Sequence, residues 1–121
     1  ARDWARFGLL YLNDGLFNGQ QILPTGWVEQ SVTPSTAAER GEYGFQWWLN
    51  AGEKNHPENR LFPTLPPDLF YADGFEGQNL FIIPSRKLVV VRLGLTRKRQ
   101  YGEVEFLEEV VKAVGLREKR D

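Results

Sequence analysis

The 121-residue chain has no cysteine, no methionine and a single histidine, His56. Without cysteine there is no disulfide, no thiolate nucleophile and no cysteine-ligated zinc, although this absence names no compartment. A charge surplus is missing as well: 15 Lys plus Arg stand against 16 Asp plus Glu, for a net charge of -1. Nucleic acid and anionic membrane surfaces both demand a strong basic surplus, so neither is expected as a partner. Wholly apolar stretches such as Leu88–Val91 fall far short of the ~20 residues that span a bilayer, so no membrane span is expected. Self-contained catalytic signatures are absent too: there is no G-x-S-x-G elbow, Walker loop, G-x-G-x-x-G or H-E-x-x-H. Repeats of useful period and low-complexity tracts are also lacking.

What remains is 41% hydrophobic and 13% aromatic, the balance of one compact domain over residues 1–121. The chain opens inside what reads as a helix, with neither Met at position 1 nor an N-cap before Ala1. It is therefore expected to be a fragment or a processed chain whose signal segment lies elsewhere.

Residues 1–34 read as helix, hairpin and short helix. Trp4, Phe7 and Tyr11 form one stripe of the first helix, and Ala5, Leu9 and Leu12 form an adjacent one. Asp14-Gly15 stops it. Asn18-Gly19, between Leu16-Phe17 and Ile22-Leu23, is the pair that a tight hairpin turn with positive φ requires. Pro24-Thr25 is expected to open a short helix through about Val32, with Thr25 as its cap and Trp27 and Val28 facing inward.

Residues 43–95 read as antiparallel strands interrupted by a long loop over 50–69. Tyr43–Leu49, YGFQWWL, predicts an aromatic strand, which would send Trp47 and Trp48 to opposite faces. One of the two should be core, and a sugar-stacking platform is the less favoured alternative. Residues 50–69 hold four of the seven prolines and no sustained period, so this loop is expected to wrap over another part of the structure. The runs Phe70–Phe75, Asn79–Ile83 and Lys87–Leu95 are separated by Gly77-Gln78 and Pro84-Ser85-Arg86, the pattern of a meander. Both faces of its inner strands are apolar, so each face needs a cover. Val104, Leu107, Val111 and Val114 recur at helical spacing, predicting a C-terminal helix over 102–115 that ends at Gly115. The fold class is α+β, an antiparallel sheet with flanking helices.

Few residues invite a chemical role by themselves. His56, in the polar run EKNHPENR, is the histidine of a solvated loop. Arg97-Lys98-Arg99 and the basic residues of 117–120 flank an acidic helix and read as solvated ends. Glu76 lies between Gly74 and Gly77, but no second carboxylate is tied to it by the sequence. The glycines permit either a bulge or tight hairpin, or the close approach of a ligand or another backbone.

Taken in order, ARDWARFGLLYLNDGLFNGQQILP, YGFQWWLN and YADGFEGQNLFIIPSRKLVVVRLG resemble the C-terminal part of the serine beta-lactamase-like hydrolases. That family includes class C beta-lactamases, penicillin-binding-protein-related D,D-peptidases and their esterase and amide-hydrolase relatives. The resemblance implies a partial beta-lactamase-like α/β domain that supplies sheet, back helix and one cleft wall. The family's nucleophile is the Ser of S-x-x-K, helped by a Tyr of Y-x-N and by a third motif on a strand. Here Ser31, Ser35 and Ser85 are followed three residues on by Pro34, Ala38 and Leu88, so S-x-x-K is absent. Tyr11-Leu12-Asn13 matches Y-x-N by letter, yet it closes a helix that the family places after the true tyrosine motif, and it reads as core and cap.

The third motif is matched by Phe75-Glu76-Gly77 followed by Gln78. By resemblance these four residues form the substrate-binding or oxyanion wall, with the N–H of Gly77 or Gln78 as the donor. A donor of this kind contributes roughly 3 kcal/mol to the transition state. Phe75 replaces the family's Lys or His, which removes a cation for a substrate carboxylate and argues against penicillin turnover. The resemblance further implies an ester or amide small-molecule substrate for the full-length parent, no metal and no cofactor, and a periplasmic or cell-envelope location.

The chain alone is expected to be inactive. With one sequence-local helix to cover a doubly apolar sheet, it is also expected to self-associate. The competing expectation is a non-catalytic binding module that uses the aromatic strand and the exposed loop.

Overall fold

The structure, a computed structural model, describes residues 2–73, 78–93 and 102–120, with 116–120 as backbone alone. In chain order the elements are α1 (Arg2–Leu12), β1 (Leu16–Phe17), β2 (Gln20–Gln21), α2 (Trp27–Ser31), β3 (Trp48–Leu49), β4 (Phe70–Asp73), β5 (Asn79–Ile83), β6 (Leu88–Arg92) and α3 (Glu103–Arg120). β1 and β2 form a hairpin apart from the main sheet, whose strand order is β3-β4-β5-β6, antiparallel throughout. This is an α+β fold.

The first hairpin turns where its sequence demands. Asn18 and Gly19 take φ of 51° and 78°, the doubly left-handed turn whose twist matches its strands. The meander follows the same local logic. β5 is buried along its whole length and pairs Phe81 with Val90 and Ile82 with Val89 on β6. Between them, Pro84–Arg86 make one 3-10 turn and Lys87 turns left-handed at φ 50°. Asp68 holds this corner by accepting hydrogen bonds from the Ser85 backbone N–H at 2.6 Å and the Ser85 hydroxyl at 2.9 Å.

Each face of the sheet carries its own core. On one face Leu49, Phe70, Leu80 and Ile82 meet Trp47 and Val28, with Tyr11 and Leu12 of α1 packed on them. Tyr11 and Phe70 bracket Trp47, with ring centroids 4.8 and 5.0 Å from it, and edge-to-face pairs of this kind add ~0.5–1.5 kcal/mol each beyond burial. Gly8 is the point of closest approach of α1 to the sheet: a Cβ there would lie 2.7 Å from Val89 Cγ1. On the other face Phe81 and Ile83 pack against Leu107 of α3 and against Leu65 and Leu69.

Leu65 and Leu69 belong to the long 50–69 loop, which thus lies over the sheet. Asn50 anchors it. Its buried amide donates to the carbonyls of Phe62 and Pro66, both at 3.0 Å, and accepts from the Phe62 N–H at 2.8 Å.

Four expectations are corrected. Tyr43–Leu49 is not one strand: it folds back on itself, with Tyr43 bridged to Trp48 and Gln46 at φ 71°. The fold-back buries Trp47 while leaving Phe45 and Trp48 exposed. Thr25 does not cap α2. Gly26, left-handed at φ 88°, stands at its N-terminus without a side-chain hydrogen bond. Gly115 does not end α3, which runs on to Arg120, because one glycine costs a helix only ~1 kcal/mol. Finally, two helices cover the sheet rather than one, since α1 and α3 lie on opposite faces.

Candidate functional site

The expected wall lies where β4 hands over to β5. Of its four residues, Phe75, Glu76 and Gly77 fall outside the described residues, and Gln78 is the half-buried residue that leads into β5. The strand ends on either side of it are paired. Asp73 and Asn79 are register partners, and the Asn79 side-chain amide donates to Asp73 Oδ1 at 2.9 Å. Asn79 is buried, so this pair ties the end of β4 to the start of β5.

Sequence inspection did not single out Asp73 or Asn79. Their signal is symmetry: a short acidic and a short amide side chain flank the glycine-bearing segment 74–77 at the last paired position. A concavity of about 250 Å³ opens beside them, lined by Trp4, Ala72, Leu80, Val91 and Leu93, with Gln78 among its polar lining. An apolar hollow whose polar lining is the Asp73 carboxylate and the Gln78 and Asn79 side-chain amides suits an alkyl-bearing group.

The other candidates have structural employment. The Ser31 hydroxyl is buried and donates back to the Trp27 carbonyl at 2.8 Å. Ser85 is committed to Asp68. Tyr11 belongs to the aromatic cluster around Trp47. His56 lies on the surface with Nδ1 3.3 Å from Glu58 Oε1. No group of three metal-ligating side chains occurs among the described residues. Nor is any helix among them long and apolar enough to cross a membrane. Arg97-Lys98-Arg99 and the side chains of 117–120 lie outside the described residues. A second hollow, about 540 Å³, runs beside α2 between Trp27 and Phe45, whose rings meet edge-on at 5.8 Å.

Among the described residues the main sheet is four-stranded and antiparallel, with a helix on each face. No family model matches the chain. It is 33% identical over 96 residues to an uncharacterised protein of Alkalihalophilus pseudofirmus, across 76% of this chain and 28% of that one. It is 29% identical over 104 residues to the 6-aminohexanoate-dimer hydrolase of Paenarthrobacter ureafaciens, across 77% of this chain and 23% of that one. Among solved structures it is similar to a Bacillus anthracis protein provisionally assigned as a 6-aminohexanoate-dimer hydrolase, with a TM-score of 0.66 and 28% identity over 98% of this chain and 29% of the other. A Bacteroides dorei protein provisionally assigned as a beta-lactamase shares the fold, with a TM-score of 0.58, 14% identity, and coverage of 92% of this chain and 39% of that one. In sequence and fold the chain is similar to beta-lactamase-like hydrolases. It spans about a quarter of the length of the curated relatives it matches.

Proposed function

We propose that this chain is the C-terminal part of a beta-lactamase-like serine hydrolase, supplying the sheet, the back helix and one wall of the cleft. The parent acylates a serine supplied by a S-x-x-K segment outside these residues and deacylates it with water. Phe75, Glu76, Gly77 and Gln78 form the wall, with the Gly77 or Gln78 N–H donating to the tetrahedral oxyanion. The observation that carries this proposal is the likeness to the B. anthracis structure, which takes in 98% of this chain but 29% of the other. A linear amide, as in the 6-aminohexanoate dimer named for two relatives, is the favoured substrate class, ahead of a penicillin. Phe75 supports that order, since it offers no cation to a carboxylate. A periplasmic or cell-envelope setting follows from the family resemblance.

The test compares this chain with a longer protein that contains it together with S-x-x-K. Each is assayed on a short-chain nitrophenyl ester, on 6-aminohexanoate dimer and on a chromogenic cephalosporin. The longer protein is expected to turn over the ester or the linear amide, while the chain alone stays at the buffer rate. Turnover by the chain alone overturns the proposal.

One observation favours a second function, a non-catalytic binding module. Phe45 and Trp48 are exposed on the 43–48 fold-back, beside the hollow shared by Trp27 and Phe45. In that case Phe45→Ala abolishes binding of a partner, and the longer protein shows no hydrolysis.

A further inference from the structure

The 43–48 fold-back turns aromatic rings outward at a cost. Phe45 is 58% and Trp48 40% exposed, and Gln46 beside Phe45 is held at φ 71°, a left-handed backbone that costs a non-glycine residue ~1–3 kcal/mol. Trp47 is buried, so a stacking surface on this segment passes from the tryptophan pair to Phe45 and its neighbour Trp27.

The fold-back is fastened at the point where Phe45 leaves it. The Phe45 N–H donates to the Ser31 carbonyl and the Gly44 N–H to the Trp47 carbonyl, both at 2.9 Å. Glycine is required at 44, since a Cβ there would lie 2.5 Å from the Ser31 carbonyl oxygen. Phe45 is therefore an exposed ring on a fixed backbone. It meets Trp27 of α2 edge-on, with the ring planes at 90°, and two rings so placed make a corner.

The hollow of about 540 Å³ in that corner lies within the range of small-ligand sites, ~300–1,000 Å³. Gln30, Thr33, Ser35 and Thr36 share it with the rings, and among the described residues that line it none is charged, in a chain that is 26% charged. The Thr33 hydroxyl is spent on the Glu29 carbonyl at 2.7 Å. Among the described residues, the side chains of Gln30, Ser35 and Thr36 make no hydrogen bond. Thr33–Thr36 also border a neighbouring hollow of about 620 Å³, so a chain-like ligand has a path beyond the first.

This lining asks for a ligand that is neutral, carries donors and acceptors of its own, and presents an apolar face. A pyranose with equatorial hydroxyls meets all three conditions. Its hydroxyls radiate from the rim of the ring, and its axial C–H groups form a flat face whose partly positive hydrogens suit the negative face of an aromatic ring. β-1,4 links keep successive faces in line. A proline-rich segment fits the rings but lacks donors, and an anionic sugar finds no cation here.

We infer that the Trp27–Phe45 hollow is a binding site for a neutral β-linked pyranose glycan, one ring of which stacks on Phe45 while Gln30, Ser35 and Thr36 bond its hydroxyls. Glycan binding here neither requires hydrolysis by a longer protein nor excludes it, and in this it goes beyond both functions considered above.

The test titrates the chain by calorimetry with cellotetraose and with tetra-N-acetylchitotetraose, beside maltotetraose, tetragalacturonate and a nonamer of proline. One of the two β-linked tetramers is expected to bind with a Kd of about 1 mM or tighter, and the three other probes at least about tenfold more weakly. Phe45→Ala is expected to weaken binding about tenfold or more, and Phe45→Trp to retain it, as stacking demands. The double variant Gln30→Ala/Thr36→Ala is expected to weaken it about threefold or more. Ile22→Ser, exposed on the first hairpin, leaves it unchanged, and circular dichroism confirms that the variants keep the fold. Absence of binding by both β-linked tetramers, equal binding by Phe45→Ala, or binding of the proline nonamer as tight as that of the glycans each overturns the inference. Hydrolysis by the longer protein is read separately, and its absence counts against the proposed activity alone.

Discussion

The two faces of the main sheet are covered by different means. On the α3 face, Leu107 and the loop residues Leu65 and Leu69 seal Phe81 and Ile83, and the Thr64 hydroxyl reaches Glu108 at 2.6 Å to tie loop to helix. On the α1 face, a core of Trp47, Phe70, Leu80 and Ile82 is tight near Tyr11, yet Trp4 and Phe7 are exposed and a hollow remains beside Leu80. One face is finished by the chain itself, whereas the other is finished only where the C-terminal half of α1 lies on it. Stability should therefore be concentrated on the first face and tolerance to substitution on the open border of the second.

The largest effect is expected at Phe81, which is buried and in ring contact with Tyr71. Phe81→Ala should cost ~3–5 kcal/mol in urea unfolding followed by circular dichroism. A loss under ~1 kcal/mol would mean that the α3 face is not the sealed one.

Gly8→Leu probes the tight part of the other face. The side chain has no room beneath α1, and the ~1 kcal/mol of helix propensity it gains is smaller than the overpacking cost of ~1–3 kcal/mol. Net destabilisation with weakened near-ultraviolet signal from Trp47 is the expected result; stabilisation would show that α1 is held loosely.

Asn50→Ala removes four hydrogen bonds of a buried side-chain amide and strands the carbonyls it served. A cost of ~1–3 kcal/mol is expected, with faster hydrogen exchange at the Phe62 amide. Unchanged exchange there would separate the loop from its anchor.

Trp4→Ser should give the smallest effect on the chain alone, within ~0.5 kcal/mol. A loss of 2 kcal/mol or more, about the scale of a buried side chain, would erase the distinction between the two faces.

Legibility from sequence followed the range of the interactions. Asn18-Gly19 and the alternation of apolar runs with Pro84-Ser85-Arg86 are local signals, and the hairpin and meander form there. Tyr43–Leu49 misled because aromatic content speaks for strand while the contacts that bend it are distant: Trp47 reaches Tyr11, and the Phe45 N–H donates to the Ser31 carbonyl at 2.9 Å. α1 was legible as a helix, but its place beneath β5 and β6 depends on Gly8 meeting Val89, a contact that no sequence period encodes. At the candidate site, Gln78 was named through the resemblance, and the structure sets it half-buried at the entry to β5. The Asp73–Asn79 pair was not, because its meaning arises only once β4 and β5 are in register.

The Asn50 anchor also sorts the loop into parts that differ as sites for engineering. Residues 54–59 are exposed, whereas 60–66 hold the carbonyls that Asn50 gathers and two of the three that Arg60 does. A peptide tag or a new chain terminus placed at Asn55-His56 lengthens a surface excursion and costs little closure entropy. The same insertion between Phe62 and Leu65 uncouples the anchor from the leucine it delivers, and turns a lid on the sheet into a tether.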